Sequence, residues 1–201
     1  MYLQMLLRKH FKQRDLTAAE LQEECHRYIA DFTVTLAQSN HLEQATRNQA
    51  TSAVWHRYRI GRVTSSIAHK IKSAKTVETA QNCLTAVMRE TADIGHVKSV
   101  MYGQMNENTA KTLYQDIQKS VHENFELRNC GLVIDTTFPL FAASPDGVRT
   151  CKCHGEGLLE VKCSYKHREQ FVKDIPSIDP TFYLDKDSLK LKCTHSYYTQ
   201  V

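Results

Sequence analysis

The sequence lacks long apolar runs, internal repeats and any segment typical of a linker. No apolar stretch among its 201 residues approaches the roughly 18 residues that a membrane-spanning helix needs. The N-terminal segment is briefly apolar and then basic, which reverses the order found in a secretory signal. These absences predict a soluble, intracellular protein without a membrane partner, and a nuclear one if its source is eukaryotic.

The composition has no extreme value that would mark a disordered, fibrous or membrane-bound class. Apolar residues make up 41% of the chain and charged residues 24%, which are ordinary fractions for a globular domain with a hydrophobic core. The net charge of +4 permits a polyanionic partner but equally suits a slightly basic soluble protein. The seven cysteines have no regular spacing, so we expect reduced thiols rather than a disulfide framework.

Helical patterns dominate the first half of the chain. Thr17 is a predicted N-cap, and Glu20, three residues later, completes a capping box. Apolar residues at helical spacing continue this helix to Leu36. Further helices are predicted at about 42–58, from Ser65 or Ser66 through Ile71, from Thr76 to Met88, and at about 96–119.

The second half of the chain changes to strand patterns and turns. Short apolar runs predict strands at 132–134, 138–143 and 158–162. The sequence Ser-Pro-Asp-Gly at 144–147 predicts a turn, because proline fixes one backbone dihedral angle and glycine accepts positive φ. Residues 151–157 are interpreted as a loop and residues 166–174 as a helix. Helices followed by a small sheet with a helix behind it predict an α+β or α/β fold.

Two charged side chains interrupt the apolar strand predicted at 158–162. Side chains alternate between the two faces of a strand, so Glu160 and Lys162 would lie on one face, about 6.6 Å apart. An edge strand with a solvated face is the commoner explanation of such a pair. The alternative is the floor of a catalytic site, in which Glu160 binds a metal ion and Lys162 positions or polarises a water molecule.

Asp146 lies in the turn that follows the preceding apolar strand. Aspartate is a favoured turn residue, so Asp146 taken alone is best explained by the turn. The short connection between the two strands permits them to pair as a hairpin, which would bring Asp146 near Glu160. Two carboxylates and a lysine at one end of a sheet are typical of a site for a hard cation such as Mg²⁺, which prefers oxygen ligands.

Glu107 is a fourth candidate, on the helix predicted at about 96–119. It precedes Ala110 by three residues and Tyr114 by seven, so it projects from the border of the apolar stripe of that helix. A surface glutamate is an equally good explanation. The alternative is a carboxylate at the border of the domain interior, where burial is costly unless the charge is paired or binds a metal ion.

Four segments, in order, resemble the motifs of one nuclease branch. Residues 144–147 with residues 160–162 (Ser-Pro-Asp-Gly and Glu-Val-Lys) are similar to the PD-(D/E)XK nuclease signature. Residues 103–114, which include Glu107, look like the upstream helix of the YqaJ-like viral recombinase and lambda exonuclease branch of that superfamily. Residues 55–66 and 197–201 resemble the first and last motifs of the same branch.

This resemblance covers residues 46–201 and leaves residues 1–45 as a helical N-terminal extension. It implies a restriction endonuclease-like core, in which helices flank a small mixed sheet, and it implies that the C-terminal strands of this core are missing. The implied reaction is metal-dependent, exonuclease-type hydrolysis of DNA in recombination, repair or a mobile-element context. The alternative is an inactive nuclease fold that serves as a DNA-binding or protein-interaction module. Endonuclease action and homo-oligomer formation stay open.

The resemblance also implies roles for individual residues. Asp146 and Glu160 would hold Mg²⁺ or Mn²⁺ together with the Val161 carbonyl. Glu107 would complete the acidic shell directly or through water, and Lys162 would orient or deprotonate the attacking water. Arg59 and Ser66 are implied to bind the 5′ phosphate of DNA, although a surface cation and a helix N-cap are their commoner roles. Gln200 is implied to contact the site or the DNA substrate, and a polar helix residue is its alternative.

Three other features have two explanations each. The segment Cys151-x-Cys153-His154 offers three zinc-type ligands, but a structural zinc site needs four, so a loop with incidental thiols is favoured. Trp55 can stack on a base, although a packing anchor is the commoner role. The arginines that would either face phosphates or be solvated are Arg57, Arg59 and Arg62.

Overall fold

The computed structural model describes residues 16–88 and 95–201, which form a mixed α/β chain with a helical first half, as predicted. Its α-helices are α1 (Ala18–Asp31), α2 (Leu36–Ala45), α3 (Ala53–Arg59), α4 (Ser65–Lys72), α5 (Val77–Met88), α6 (Lys98–Val121) and α7 (Ile175–Ile178). Its strands are β1 (Val63–Thr64), β2 (Glu126–Arg128), β3 (Val133–Ile134), β4 (Phe141–Ala143), β5 (Gly147–Cys151) and β6 (Gly155–Leu159). Short 3₁₀ helices occupy Gln49–Thr51 and Ser196–Thr199.

The described residues divide into two compact units. The first unit contains residues 16–67, 73–88 and 130–144, and the second contains residues 68–72, 95–129 and 145–201. The division predicted at residue 45 stays a prediction, and the first 15 residues of the predicted extension lie outside the described ranges. Within those ranges, every helix is too short or too polar to cross a membrane.

Reciprocal caps fix the starts of the first two helices. At α1 the Thr17 hydroxyl accepts the Glu20 N–H at 3.3 Å, and the Glu20 carboxylate accepts the Thr17 N–H at 2.8 Å, which is the predicted capping box. Thr35 and Gln38 repeat this arrangement at α2. The prediction that the first helix continues to Leu36 was wrong, because the second capping box starts a new helix there.

The prediction of one continuous helix at about 42–58 was also wrong, because the structure divides this segment between α2 and α3. A 3₁₀ turn separates the two helices. Gln49 has a φ of 42°, a left-handed conformation that an α-helix does not contain. Ser52 then caps α3 by accepting the Trp55 N–H at 3.3 Å. The apolar periodicity of the sequence continues across this break and therefore concealed it.

The sheet of the first unit has the strand order β1-β4-β3. β1 and β4 are parallel, whereas β3 and β4 are antiparallel with Ile134 opposite Ala142. The strands predicted at 132–134 and 138–143 are confirmed with shorter bounds. The core of this unit consists of Leu42, Leu132, Ile134 and Ala142, against which Val34, Trp55 and Tyr58 pack.

Two buried hydroxyls form hydrogen bonds with the backbone at β3, as a neighbouring strand would. Ser39 lies on α2 and bonds β3 itself, and Thr46 directly follows α2 and bonds the residue before β3. Ser39 Oγ donates to the Ile134 carbonyl at 2.8 Å and accepts the Ile134 N–H at 3.1 Å. Thr46 Oγ1 donates to the Leu42 carbonyl at 2.6 Å and accepts the Leu132 N–H at 2.8 Å. Because both hydroxyls are buried, these bonds satisfy backbone groups that water does not reach.

Gly131 permits the close approach of this segment to α2. A Cβ at position 131 would collide with the Glu43 carbonyl oxygen and lie 2.6 Å from Thr46 Oγ1. The Gly131 N–H donates to Glu43 Oε1 at 3.1 Å. A residue without a side chain is therefore required where the chain enters β3.

The sheet of the second unit has the strand order β2-β5-β6, and its strand pairs are antiparallel. β5 and β6 form a hairpin whose register pairs Gly147 with Leu159 at the open end and Cys151 with Gly155 at the turn. At the open end, Leu127 and the Arg128 carbonyl of β2 lie so close to Gly147 that a Cβ there would be 2.9 Å from Leu127 Cδ1. The hairpin and β2 thus pack tightly where the hairpin opens.

Three elements predicted for this region differ from the structure. The loop predicted at 151–157 is mostly hairpin, because Gly155 adopts a φ of 68° and lets the chain reverse within three residues. The strand predicted at 158–162 starts earlier and ends at Leu159. The helix predicted at 166–174 is a series of turns before α7. Strand alternation consequently does not govern the segment after β6.

We expect Thr46→Val to lower the free energy of unfolding by about 1–3 kcal/mol, because it keeps the shape but leaves the buried Leu132 N–H without an acceptor. Urea unfolding followed by circular dichroism measures this change. Thr112→Val is the matched control, since the Thr112 hydroxyl bonds the Asn108 carbonyl on an exposed helix surface. Equal effects of the two substitutions would contradict the role given to Thr46.

Candidate active site

The open end of the β5–β6 hairpin places Asp146 beside the segment that follows Leu159. Gly147 pairs with Leu159, so the next residues outward, Asp146 and Glu160, leave the hairpin side by side. Asp146 Oδ2 accepts the Val161 N–H at 2.6 Å. The structure therefore brings the two carboxylates together, through a different hairpin from the one that the sequence predicted.

Glu160 accepts two donors on one carboxylate oxygen. Lys162 Nζ pairs with Glu160 Oε1, and Gln200 Nε2 donates to the same atom at 2.5 Å. Lys162 Nζ also lies 5.0 Å from the centre of the Tyr197 ring, within the range of a cation–π contact. The side chains of Glu160 and Lys162 remain 20% and 28% exposed, so a ligand can reach the pair.

Glu107, on α6, lies in the same compact unit as Asp146, Glu160 and Lys162. Burial raises the pKa of the Cys163 thiol, and the negative charges of Glu107 and Asp146 raise it further. Lys111, one helical turn after Glu107, pairs with Glu107 Oε1 at 2.5 Å. Lys111 was not predicted as a site residue, although its i,i+4 spacing from Glu107 is visible in the sequence.

Asp146 is a carboxylate whose charge the protein disfavours. Burial is the main cause that raises its pKa from 3.8 to about 6, and the negative charges of Glu160 and Glu107 raise the pKa further. The Val161 N–H and the Lys111 ammonium act in the opposite direction. The three carboxylates therefore form an acidic cluster with an excess of negative charge, which a divalent cation would offset.

The first unit holds a cationic group around Arg59. The guanidinium donates to Ser66 Oγ at 3.1 Å and to Thr64 Oγ1 at 3.4 Å, and it lies 4.1 Å from the centre of the Trp55 ring. Arg59 Nε is buried and has no hydrogen-bond partner among the described residues. Burial lowers the Arg59 pKa from 12.5 to about 10, so the side chain is still cationic at neutral pH. The predicted pair of Arg59 and Ser66 lies together, with Thr64, which the sequence did not single out.

Two side chains near this group have structural roles. Trp55 packs against the core of the first unit, and its Nε1 donates to Ser144 Oγ at 2.8 Å. Arg62 is 2% exposed, and its guanidinium donates to the carbonyls of Pro139 and Tyr58. The packing role of Trp55 is confirmed, whereas both alternatives given for Arg62, a contact with phosphates and a solvated position, were wrong.

We expect Asp146→Asn to raise the Tm of the metal-free protein at mildly alkaline pH. Because folding raises the Asp146 pKa, this carboxyl contributes stability that is fully present below pH 3.8 and is lost as the pH rises through about 6. Asparagine removes the charge but keeps an acceptor for the Val161 N–H.

Scanning calorimetry in the presence of EDTA tests this prediction. As the pH rises from 3.8 to about 6, the Tm of the variant should increase relative to the Tm of the wild type. Asp187→Asn, at an exposed position of the same unit, is the matched control and should give a difference that does not depend on pH in this way. A pH-independent difference for Asp146→Asn would contradict the raised pKa.

Comparison with solved structures finds distant resemblances. The chain is similar to LHK-Exo, an alkaline exonuclease from Laribacter hongkongensis whose complex with dAMP is solved, at 21% identity over 74% of this chain and 65% of that chain, with a TM-score of 0.48. It is also similar to the shutoff and exonuclease protein of Kaposi's sarcoma-associated herpesvirus, at 18% identity over 84% of this chain and 36% of that chain, with a TM-score of 0.47. The chain thus spans less than two thirds of the length of either protein.

Comparison at the level of sequence gives a firmer result. No curated protein sequence matches the chain. The sequence model of the viral alkaline exonuclease family, in contrast, matches residues 2–171, which is most of the chain and includes Glu107, Asp146, Glu160 and Lys162. The family relationship expected from the motifs is therefore confirmed, and the chain belongs to the viral alkaline exonuclease family.

Proposed function

We propose that this chain is a metal-dependent DNA nuclease of the exonuclease type. The observation that carries the proposal is the grouping of Asp146, Glu160 and Lys162 at the open end of the β5–β6 hairpin, where the charge of Glu107 on α6 also acts on Asp146. Membership of the viral alkaline exonuclease family supports the same reaction class. The substrate is DNA, and the bond that is hydrolysed is a phosphodiester.

The donor set fits a hard divalent cation, Mg²⁺ or Mn²⁺. Asp146, Glu160 and Glu107 offer carboxylate oxygens, and the Val161 carbonyl follows Glu160 directly in the chain. Glu160 Oε1 accepts hydrogen bonds from both Lys162 and Gln200. Within the described residues, Glu160 Oε2 therefore remains available to the cation. The raised pKa of Asp146 supports this assignment, because a nearby cation would offset the unfavourable charge.

The bound metal ion would supply a coordinated water of lowered pKa and neutralise charge on the scissile phosphate. The protein side chains orient the reactants. Lys162 is held by Glu160 and faces the Tyr197 ring, so its ammonium is positioned to donate to the attacking water or to a phosphate oxygen. Gln200 restrains Glu160, and Lys111 restrains Glu107, so both carboxylates keep their orientation while substrate enters.

The group around Arg59 suits the terminal phosphate of a DNA strand. The half-buried Arg59 guanidinium and the exposed Ser66 hydroxyl beside it offer a charge-assisted and a neutral hydrogen bond to phosphate oxygens, and buried Thr64 orients them. Ser66 is exposed and therefore accessible to DNA. Recognition of a terminal phosphate favours an exonuclease over an endonuclease.

We expect Asp146→Asn and Lys162→Met each to lower the rate of Mg²⁺-dependent DNA cleavage by about 100-fold or more, since the first removes the negative charge of a metal ligand and the second removes the donor to the attacking water. The measurement is the release of nucleotides from linear duplex DNA. Asp187→Asn and Lys186→Met are matched controls at exposed positions of the same unit and should retain activity.

Two outcomes of this experiment would contradict the proposal. Wild-type rates in both site variants would show that another site cleaves DNA. A folded wild-type chain that binds DNA but shows no cleavage with Mg²⁺ or Mn²⁺ would instead favour a DNA-binding module that has kept the nuclease fold.

We expect the wild-type chain to prefer 5′-phosphorylated over 5′-hydroxyl DNA ends by about 10-fold in kcat/KM. Arg59→Gln should lose this preference, because a hydrogen bond to a charged group is lost. Arg57→Gln, an exposed position on the same helix, is the control and should keep the preference. A wild-type chain that ignores the end phosphate, or an unchanged preference in Arg59→Gln, would contradict terminal phosphate binding at this group.

A further inference from the structure

A second cluster of metal-binding side chains lies in the second unit, at the turn of the β5–β6 hairpin. His122 directly follows α6, Cys151 ends β5, and Cys153 and His154 belong to the turn. One ligand atom from each of these four side chains lies within 4.8 Å of the ligand atoms of the other three. The sequence motif supplied only three of these ligands, and the fold adds His122 from 29 residues upstream of Cys151.

The contacts within the cluster show that the ligand atoms face each other. Cys151 Sγ lies 3.7 Å from His154 Nδ1. The rings of His122 and His154 are perpendicular, with their centres 4.9 Å apart. Tetrahedral zinc with ligands at 2.0–2.3 Å separates neighbouring ligand atoms by about 3.3–3.8 Å, so a modest contraction of the cluster would suffice to bind the ion.

We propose that His122, Cys151, Cys153 and His154 bind one structural Zn²⁺ ion. Two thiolates and two imidazoles are a standard ligand set for tetrahedral structural zinc, and they leave no coordination position for a substrate. The ligands are two sulfur and two nitrogen donors, whereas the candidate active site offers carboxylates, so the two sites select different metals.

The surroundings of the cluster are arranged in a way that supports a metal site. The Glu123 N–H donates to Cys153 Sγ at 3.4 Å, a contact that stabilises a thiolate ligand. The Lys152 N–H donates to the Glu123 carbonyl at 3.0 Å, and Lys152 Nζ pairs with Glu123 Oε1 at 2.6 Å. These bonds hold the hairpin turn against the end of α6 and bring the ligands together before the ion binds.

The ion would cross-link the two elements that carry the candidate catalytic residues. α6 carries Glu107 and ends just before His122, while β5 begins just after Asp146 and ends at Cys151. Asp146 and Cys151 are five residues apart, so the two sites are separated by about 16 Å along the strand. The zinc ion would therefore stabilise the arrangement of α6 and the hairpin without taking part in hydrolysis.

The zinc content of the purified full chain tests the proposal. We expect one equivalent of zinc per chain after dialysis, measured by plasma mass spectrometry, and we expect Cys153→Ser and His122→Ala to bind zinc at least about 100-fold more weakly. Cys193→Ser, at another exposed cysteine, is the matched control and should retain the metal. Asp146→Asn should also retain it, because that residue belongs to the other site.

Cobalt substitution identifies the ligands independently of protein stability. The wild-type chain reconstituted with Co²⁺ should show sulfur-to-cobalt charge-transfer absorption and the intense visible bands of a tetrahedral site. This measurement needs no variant, so it stands even where Cys153→Ser fails to fold. Wild-type chain with reduced thiols that retains no zinc, or Co²⁺ spectra without a thiolate band, would overturn the proposal. Loss of zinc in Asp146→Asn alone would also overturn it, because the ion would then lie on the carboxylates.

Discussion

The hydrogen bond from the Val161 N–H to Asp146 Oδ2 is the constraint on which the candidate active site depends. The backbone ladder of the hairpin stops at the pair of Gly147 and Leu159, so beyond that pair no strand partner sets the path of the chain. The carboxylate of Asp146 replaces the missing acceptor and extends the hairpin by one residue. Because the bond uses one carboxylate oxygen and the backbone of its partner, the second oxygen of Asp146 and the neighbouring Glu160 remain available for chemistry.

The charges of the site are distributed unequally among the three carboxylates. Glu160 has Lys162 as its partner and Glu107 has Lys111, whereas Asp146 is stabilised mainly by a backbone N–H. Burial is the main cause that raises the pKa of Asp146 to about 6, and the negative charges of Glu160 and Glu107 raise this pKa further. A carboxylate that is partly neutralised by protons at low pH binds cations best once those protons have left, so proton release and metal binding are coupled at this residue.

The sequence predicted the proximity of Asp146 and Glu160 more accurately than the elements that carry them. The expected hairpin pairing placed the two carboxylates together, and they do lie together, although the strand alternation used to argue for Glu160 ends at Leu159. Contacts between distant parts of the chain could not be derived from local patterns. The contact of Gln200 with Glu160, 40 residues away, was suggested only by the family resemblance, and the bond of Ser39 to the backbone of β3, 95 residues away, was not predicted. Local periodicity carries no information on which segments meet, because tertiary packing decides it.

Gly131 also affects how related sequences should be interpreted. The four polar residues of the candidate site would survive many substitutions elsewhere, so their presence alone does not establish that a relative can fold. A side chain at position 131 would drive the Glu43 carbonyl and Thr46 away from the chain that enters β3. A relative with an intact set of carboxylates but a bulkier residue at this position would have lost the packing of its first sheet against α2. Loss of the fold in a relative is thus recognisable at a position that performs no chemistry.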